Sequence, residues 1–302
     1  TVVFINDTVS RWINDTINAD LTPIYEALKE LSKITEIDIA DNESITELNP
    51  LAELSDLRYL DCSGTKVSDI NPIRNLNGIK ELNISDTEIT DISNLKYANV
   101  VQNFKADNNK ISDISIVEYF KDLNYLSISG TDVSDISSLS NCENITKLNL
   151  SATLVNDITS LSNLFKLNDL DVSNTYVNDL SVLQNLENLH FLNIEGTQVT
   201  DLSVISNLTN LNQINFSNTK ISDLEPLNEL PQLSIIYCDH SLVTREDVDT
   251  FRAIHPDKLI INESEALKMW WNELPSFWKS LLAEQTNMSI NPSKEELHSI
   301  IN

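Results

Sequence analysis

One repeat, held without slippage, constrains this chain more than anything else in it. Segments such as LRYLDCSGTKVSDINPIRNLNG from Leu57, ITKLNLSATLVNDITSLSNLFK from Ile145 and LHFLNIEGTQVTDLSVISNLTN from Leu189 follow one pattern. Starts fall at Leu57, Ile79, Val101, Leu123, Ile145, Leu167, Leu189, Leu211 and Leu233, so every interval is 22 residues. An earlier repeat opens at Ile34 and is one residue longer, with the extra residue in DNESITEL. With a fixed short period each repeat touches only its neighbours, so the chain grows as a solenoid instead of around one central core. A solenoid escapes the size limit that a single core of 302 residues would meet.

Seven places in each repeat are apolar. In the repeat from Leu123 they are Leu123, Leu126, Ile128, Val133, Ile136, Leu139 and Cys142, which gives LxxLxLxxTxVxDIxxLxxL. Side chains alternate along a strand, so the leucines of LxLxx point inward and the residues between them point to the opposite face. Stacking of neighbours is what buries the leucines, and the stacked strands form a parallel sheet with rungs about 4.8 Å apart. The DIxxL stretch predicts a short helical or 3-10 turn on the return path. This pattern resembles the short, 22-residue class of leucine-rich repeats found in internalins and related bacterial surface proteins, over roughly residues 34–243. The resemblance implies an α/β fold. It is a right-handed leucine-rich-repeat solenoid with a parallel sheet on the concave face, short turns on the convex side and helical caps at both ends.

Two polar ladders accompany the leucines. Thr65, Thr87, Thr131, Thr153, Thr175, Thr197 and Thr219 share one place, with Asn109 as the exception. A side chain there would satisfy backbone groups where the strand turns away. Asp69, Asp91, Asp113, Asp135, Asp157, Asp179, Asp201 and Asp223 share another, well placed to cap the first amides of the turn. A calcium ladder would need several oxygens converging on each ion, and one aspartate per rung does not supply them. Cys62 and Cys238 stand where other repeats carry Ile84 or Leu150, and Cys142 where others carry Leu164. Register therefore makes all three core residues, neither disulfide partners nor metal ligands.

Four segments follow. Residues 1–33 read as a helical N-terminal cap, with Trp12, Ile13 and Ile17 covering the first repeat, because an open solenoid end exposes leucines and a bare strand edge. Residues 34–243 are the array, about ten repeats. Residues 244–262 read as a capping helix, opened by Thr244 and Asp247, followed by a short strand in LIIN. Residues 263–302 form a helical tail with Trp270, Trp271 and Trp278 close together. PSKEELHSI from Pro292 echoes PIYEALKEL from Pro23, so the tail is either a cap for a further array or an ordinary cap that folds back.

The outward residues of the sheet carry the functional information. Tyr59/Gly64, Tyr125/Gly130 and Phe191/Gly196 recur every 66 residues, or three rungs. Two readings stand: a row of aromatic anchors along a binding groove, or the trace of a duplicated three-repeat block. Tyr237 adds an aromatic near the C-terminal end. Around these anchors Asp61, Glu81, Asp169, Asp171 and Glu195 make the face acidic, while Lys105 and Lys147 flank Tyr125. These eleven residues are the candidate partner-binding set. An acidic rim predicts a protein partner with a basic patch. Carbohydrate remains a second kind of ligand, since the Trp cluster could serve as a sugar platform.

Enzyme chemistry leaves no trace. Of the four histidines only His240 has an acid beside it, Asp239, and no Ser or Cys nucleophile motif accompanies the pair. With four glycines there is no phosphate loop and no dinucleotide fingerprint, so no cofactor is expected and no metal motif is present. A formal net charge of −26 argues against nucleic acid, which needs clustered Lys and Arg. No run of eighteen apolar residues exists to insert into a membrane. The chain opens at Thr1, so the want of a leader says nothing about secretion. By resemblance, the expected role is a non-catalytic binding module, extracellular or at a bacterial surface. An intracellular regulatory scaffold and a carbohydrate-binding adhesin are the alternatives.

Overall fold

The computed structural model describes residues 2–4 and 33–299. They divide into two compact units, 1–167 and 168–302. Within each, the 22-residue interval becomes a register without stagger.

Unit 1 holds β1 (Val2–Phe4), β2 (Glu36–Asp38), β3 (Tyr59–Asp61), β4 (Glu81–Asn83), β5 (Asn103–Lys105), β6 (Tyr125–Ser127) and β7 (Lys147–Asn149). They pair in parallel in sequence order. Tyr59 lies beside Glu81 and Leu60 beside Leu82, so equal places in successive repeats meet. The longer first repeat keeps this register, since Glu36 still meets Tyr59. Its extra residue is absorbed in the loop after Asp41, before the turn at Asn49–Leu51.

The return paths are 3-10 turns, as DIxxL predicts. Where Pro72 enters, the turn is Asn71–Ile73; without proline it lengthens, as in Ser115–Tyr119. Each expected aspartate accepts a backbone N–H at the start of its turn: Asp69 from Asn71 at 2.8 Å, Asp113 from Ser115 at 2.7 Å and Asp157 from Thr159 at 2.8 Å. The interior is aliphatic, and Leu57, Leu60, Cys62 and Val67 are fully buried. One repeat departs from this, packing Phe104 against Phe120 edge-to-face at 5.7 Å between centroids. Small Ala98 and Ala106 occupy nearby core places, which conserves volume.

Unit 2 continues the same construction with β8 (Asp169–Asp171), β9 (Phe191–Asn193), β10 (Gln213–Asn215), β11 (Ile235–Tyr237) and β12 (Leu259–Ile261). Between the last two runs α1 (Arg245–Ile254), opened by the expected Thr244–Asp247 capping box. Beyond β12 come α2 (Ser264–Glu273), α3 (Ser276–Thr286) and α4 (Lys294–His298). Helix α4 packs on α2 and on β12. The outer edge of β12 is blunted by side chains. Arg252 donates to the Ile260 carbonyl at 3.1 Å, and the Nε2 atom of buried His298 lies 2.7 Å from the Asn262 carbonyl. Such groups stop an open edge from recruiting another strand.

The helices expected over residues 5–32, with Trp12, Ile13 and Ile17, lie outside the described residues; β1 is a strand where only helix was expected. The tail tryptophans do not form one buried cluster. Trp271 is buried, while Trp270 and Trp278 are half-exposed, and Trp278 packs on Phe277. All three cysteines are buried free thiols, as register requires. Burial pushes Cys62 and Cys238 up to about 12 and Cys142 up to about 11, which leaves little reactive thiolate at neutral pH.

Candidate partner-binding face

Strand alternation aims the third and fifth places of every repeat away from the core. In unit 1 this presents Tyr59 and Asp61 on β3, Glu81 on β4, Lys105 on β5, Tyr125 on β6 and Lys147 on β7. Tyr59 is half-buried, and its hydroxyl donates to Asp61 Oδ2 at 3.5 Å. Burial first, then the charges of Asp61, Asp38 and Glu81, raise its phenol above the ordinary value. The Nζ of Lys105 stands 5.6 Å from the Tyr125 ring centroid. Lys147 lies beside Tyr125 in register on the next strand.

In unit 2, Asp169 lies beside Phe191 in register, and Phe191 is half-buried like the two tyrosines. Asp171, Glu195 and, in unit 1, Asp61 turn out to be braces between rungs. Asp61 accepts from Asn83 Nδ2 at 2.9 Å and Asp171 from Asn193 Nδ2 at 2.9 Å. Glu195 accepts from Asn215 at 2.9 Å and from Asn218 at 3.0 Å. The bracing asparagines were not among the sequence candidates, although Asn83 and Asn193 sit 22 residues after their acids.

Tyr237, on the outward face of β11, also meets the tail. Its hydroxyl donates to Glu295 Oε1 at 3.1 Å, and Lys294 Nζ lies 4.6 Å over its ring. Register placed Tyr237 on the outward face correctly, but no periodicity could show that α4 folds onto that end. Sequence reading also passed over Tyr97 and Tyr119, exposed aromatics on the turn side of unit 1, because they fall outside the strands.

The three glycines of the 66-residue pattern have a backbone explanation. The eighth place is left-handed in every repeat, with φ of 66° at Gly64, 67° at Gly130 and 54° at Ala152. Glycine is favoured there by conformation and not by a ligand.

In unit 2, open hollows of about 340, 440 and 600 Å³ surround α1 and α2. The largest brings Cys238 near His240, whose Nε2 is 4.0 Å from Glu265. The Cys238 Sγ is buried and lies 3.4 Å from the Ile261 carbonyl, and burial pushes its thiol up to about 12. Among the described residues no group of His, Cys, Asp and Glu is arranged to hold a metal ion, and no helix is long and apolar enough to cross a membrane.

A family model for leucine-rich repeats, in two copies, matches residues 55–97. The fold is shared with an internalin (InlF) from Listeria monocytogenes, with a TM-score of 0.54 and 25% identity over 77% of this chain and 81% of that one. Internalin C2 from the same organism gives a TM-score of 0.59 and 27% identity over 62% of this chain and 82% of that one. The chain has the leucine-rich-repeat fold and is similar to the Listeria internalins. A leucine-rich-repeat protein of Leptospira interrogans has the same fold at 17% identity, with a TM-score of 0.64 over 76% of this internalin-like chain and 72% of its own. A sequence search of curated proteins finds no match.

Proposed function

We propose that this internalin-like protein is a non-catalytic module that binds a protein partner through its outward sheet face. Leucine-rich-repeat proteins generally mediate protein–protein binding. The observation that carries the reading is the pair Tyr59 and Tyr125, two half-buried rings on a preformed polar sheet three rungs apart. Half-buried tyrosines lose little side-chain entropy on binding and offer large contact area, the character of interface anchors. In unit 2 Phe191 is a ring of the same kind, and the braces, Asp61 in unit 1 and Asp171 and Glu195 in unit 2, hold each unit's surface in shape before a partner arrives. Work at a bacterial surface, or after secretion, follows from the likeness to the Listeria internalins.

The test is capture. Immobilised wild-type protein should retain a protein that a Tyr59→Ala/Tyr125→Ala variant with unchanged melting does not. Equal capture by both would remove the sheet face from the reading.

A further inference from the structure

We propose that the sheet face of unit 1 takes a partner segment with two ends of opposite charge: a cationic side chain seats on Tyr59, and a carboxylate seats at Lys105. The proposal rests on the reading that this face binds a protein, and it names what that protein must bring.

The outward places of β2 to β4 hold Glu36, Asp38, Asp61 and Glu81 around Tyr59 and no cation. The same places on β5 to β7 hold Lys105 and Lys147 around Tyr125 and no carboxylate. Charge therefore changes sign between β4 and β5. Arg58 and Lys80 stand before their strands and not on them, and Arg58 donates to the Leu57 carbonyl at 3.2 Å. Asp107, a carboxylate close in sequence to Lys105, lies past the end of β5. It is taken up by the Ser127 hydroxyl at 2.6 Å and the Ser129 N–H at 2.7 Å.

The two tyrosines are thus the same ring in opposite surroundings. Tyr125 already has a cation, the Lys105 ammonium at 5.6 Å, so an arriving cation would meet a like charge. Among the described residues no cation stacks on Tyr59. Asp38, Asp61 and Glu81 all act on its phenol. A guanidinium or ammonium placed there gains the ring face and nearby carboxylates together. Two rungs of about 4.8 Å separate Tyr59 on β3 from Lys105 on β5, about 10 Å along the sheet. An extended segment covers that in about three residues and a helix in about six or seven. A partner that is basic throughout would meet repulsion at Lys105, so the face selects for a bipolar segment.

The experiment selects displayed random peptides on the wild-type chain and counter-selects on Tyr59→Ala/Tyr125→Ala. Retained peptides are then titrated against Glu81→Lys and Lys105→Glu. The expected peptides carry one basic and one acidic residue at the stated spacing and bind each reversal at least tenfold more weakly. Changing the peptide's basic residue to an acid should restore binding to Glu81→Lys. Peptides that need the tyrosines but ignore both reversals overturn the charge assignment and leave the face as the binding surface. If no peptide distinguishes wild type from the double variant, the face itself is wrong and the proposal falls with it. Should the alanine variant melt early, Tyr59→Leu/Tyr125→Leu keeps the buried bulk and serves in its place.

Discussion

At the eighth place of each repeat, a single backbone angle decides which residue is comfortable. Asp86, Asn108, Asn174 and Asn218 adopt the left-handed conformation there, as short polar side chains can. Ala152 does so at φ 54° with no side-chain compensation. Ala152→Gly should therefore stabilise the protein by about 0.5–1 kcal/mol in urea unfolding; a loss of stability would refute the strain argument. The reverse change is worse than neutral. A Cβ on Gly130 would stand 2.5 Å from Asn108 Oδ1, in addition to the unfavourable angle. The Thr ladder carries a similar lesson. Each threonine serves its own turn, as Thr131 donates to the Ile128 carbonyl at 2.7 Å. Asn109 is longer and joins two rungs, donating to the Ile84 carbonyl at 2.8 Å and accepting the Thr87 N–H at 2.9 Å.

Among elements, the 3-10 turns and the tail make separate predictions. The carboxyls of Asp91, Asp113, Asp157 and Asp201 lie below their ordinary value because backbone N–H groups of Ser93, Ser115, Thr159 and Ser203 donate to them. A carboxyl depressed in the fold stabilises it above the unfolded value of about 3.9, and that help is lost as pH falls through the folded values. In 1 M salt, where surface repulsion is screened, the melting temperature should stay level to about pH 5 and drop below about pH 4. Asp113→Ala should cost about 0.5–1 kcal/mol at pH 7 and almost nothing at pH 2. Equal cost at both pH values would show that the caps do not act through charge. In the tail, Leu297 is buried where α4 meets α2 and β12. Leu297→Ala should release α4 at a cost of about 2–3 kcal/mol. A red shift in the emission of buried Trp271 reports it, and unchanged emission would mean that α4 holds by other contacts.

For the whole molecule, charge is the dominant long-range quantity. A net charge of −26 on 302 residues favours solubility and works against compactness through self-repulsion. The pair Arg245–Asp249, 4.0 Å apart on α1 and mostly exposed, adds little against this. Raising salt from about 10 mM to 1 M shortens the screening length from about 30 Å to about 3 Å. The melting temperature should rise over that range, and a fall would show that repulsion is not what limits stability.

Period and parity alone determined the strands, the inward leucines, the capping aspartates and the core cysteines. These are nearest-neighbour properties: each rung repeats the environment of the last, so one repeat read correctly predicts the others. The outward position of Tyr59, Tyr125 and Phe191 was legible for the same reason. Tertiary structure alone decided what no period encodes. It turned Asp61, Asp171 and Glu195 into braces, because their partners approach only when neighbouring rungs stack. It seated α4 over Tyr237 and left Trp270 and Trp278 in solvent, because a non-repeating tail finds its place by packing, and packing is set by contacts distant in sequence.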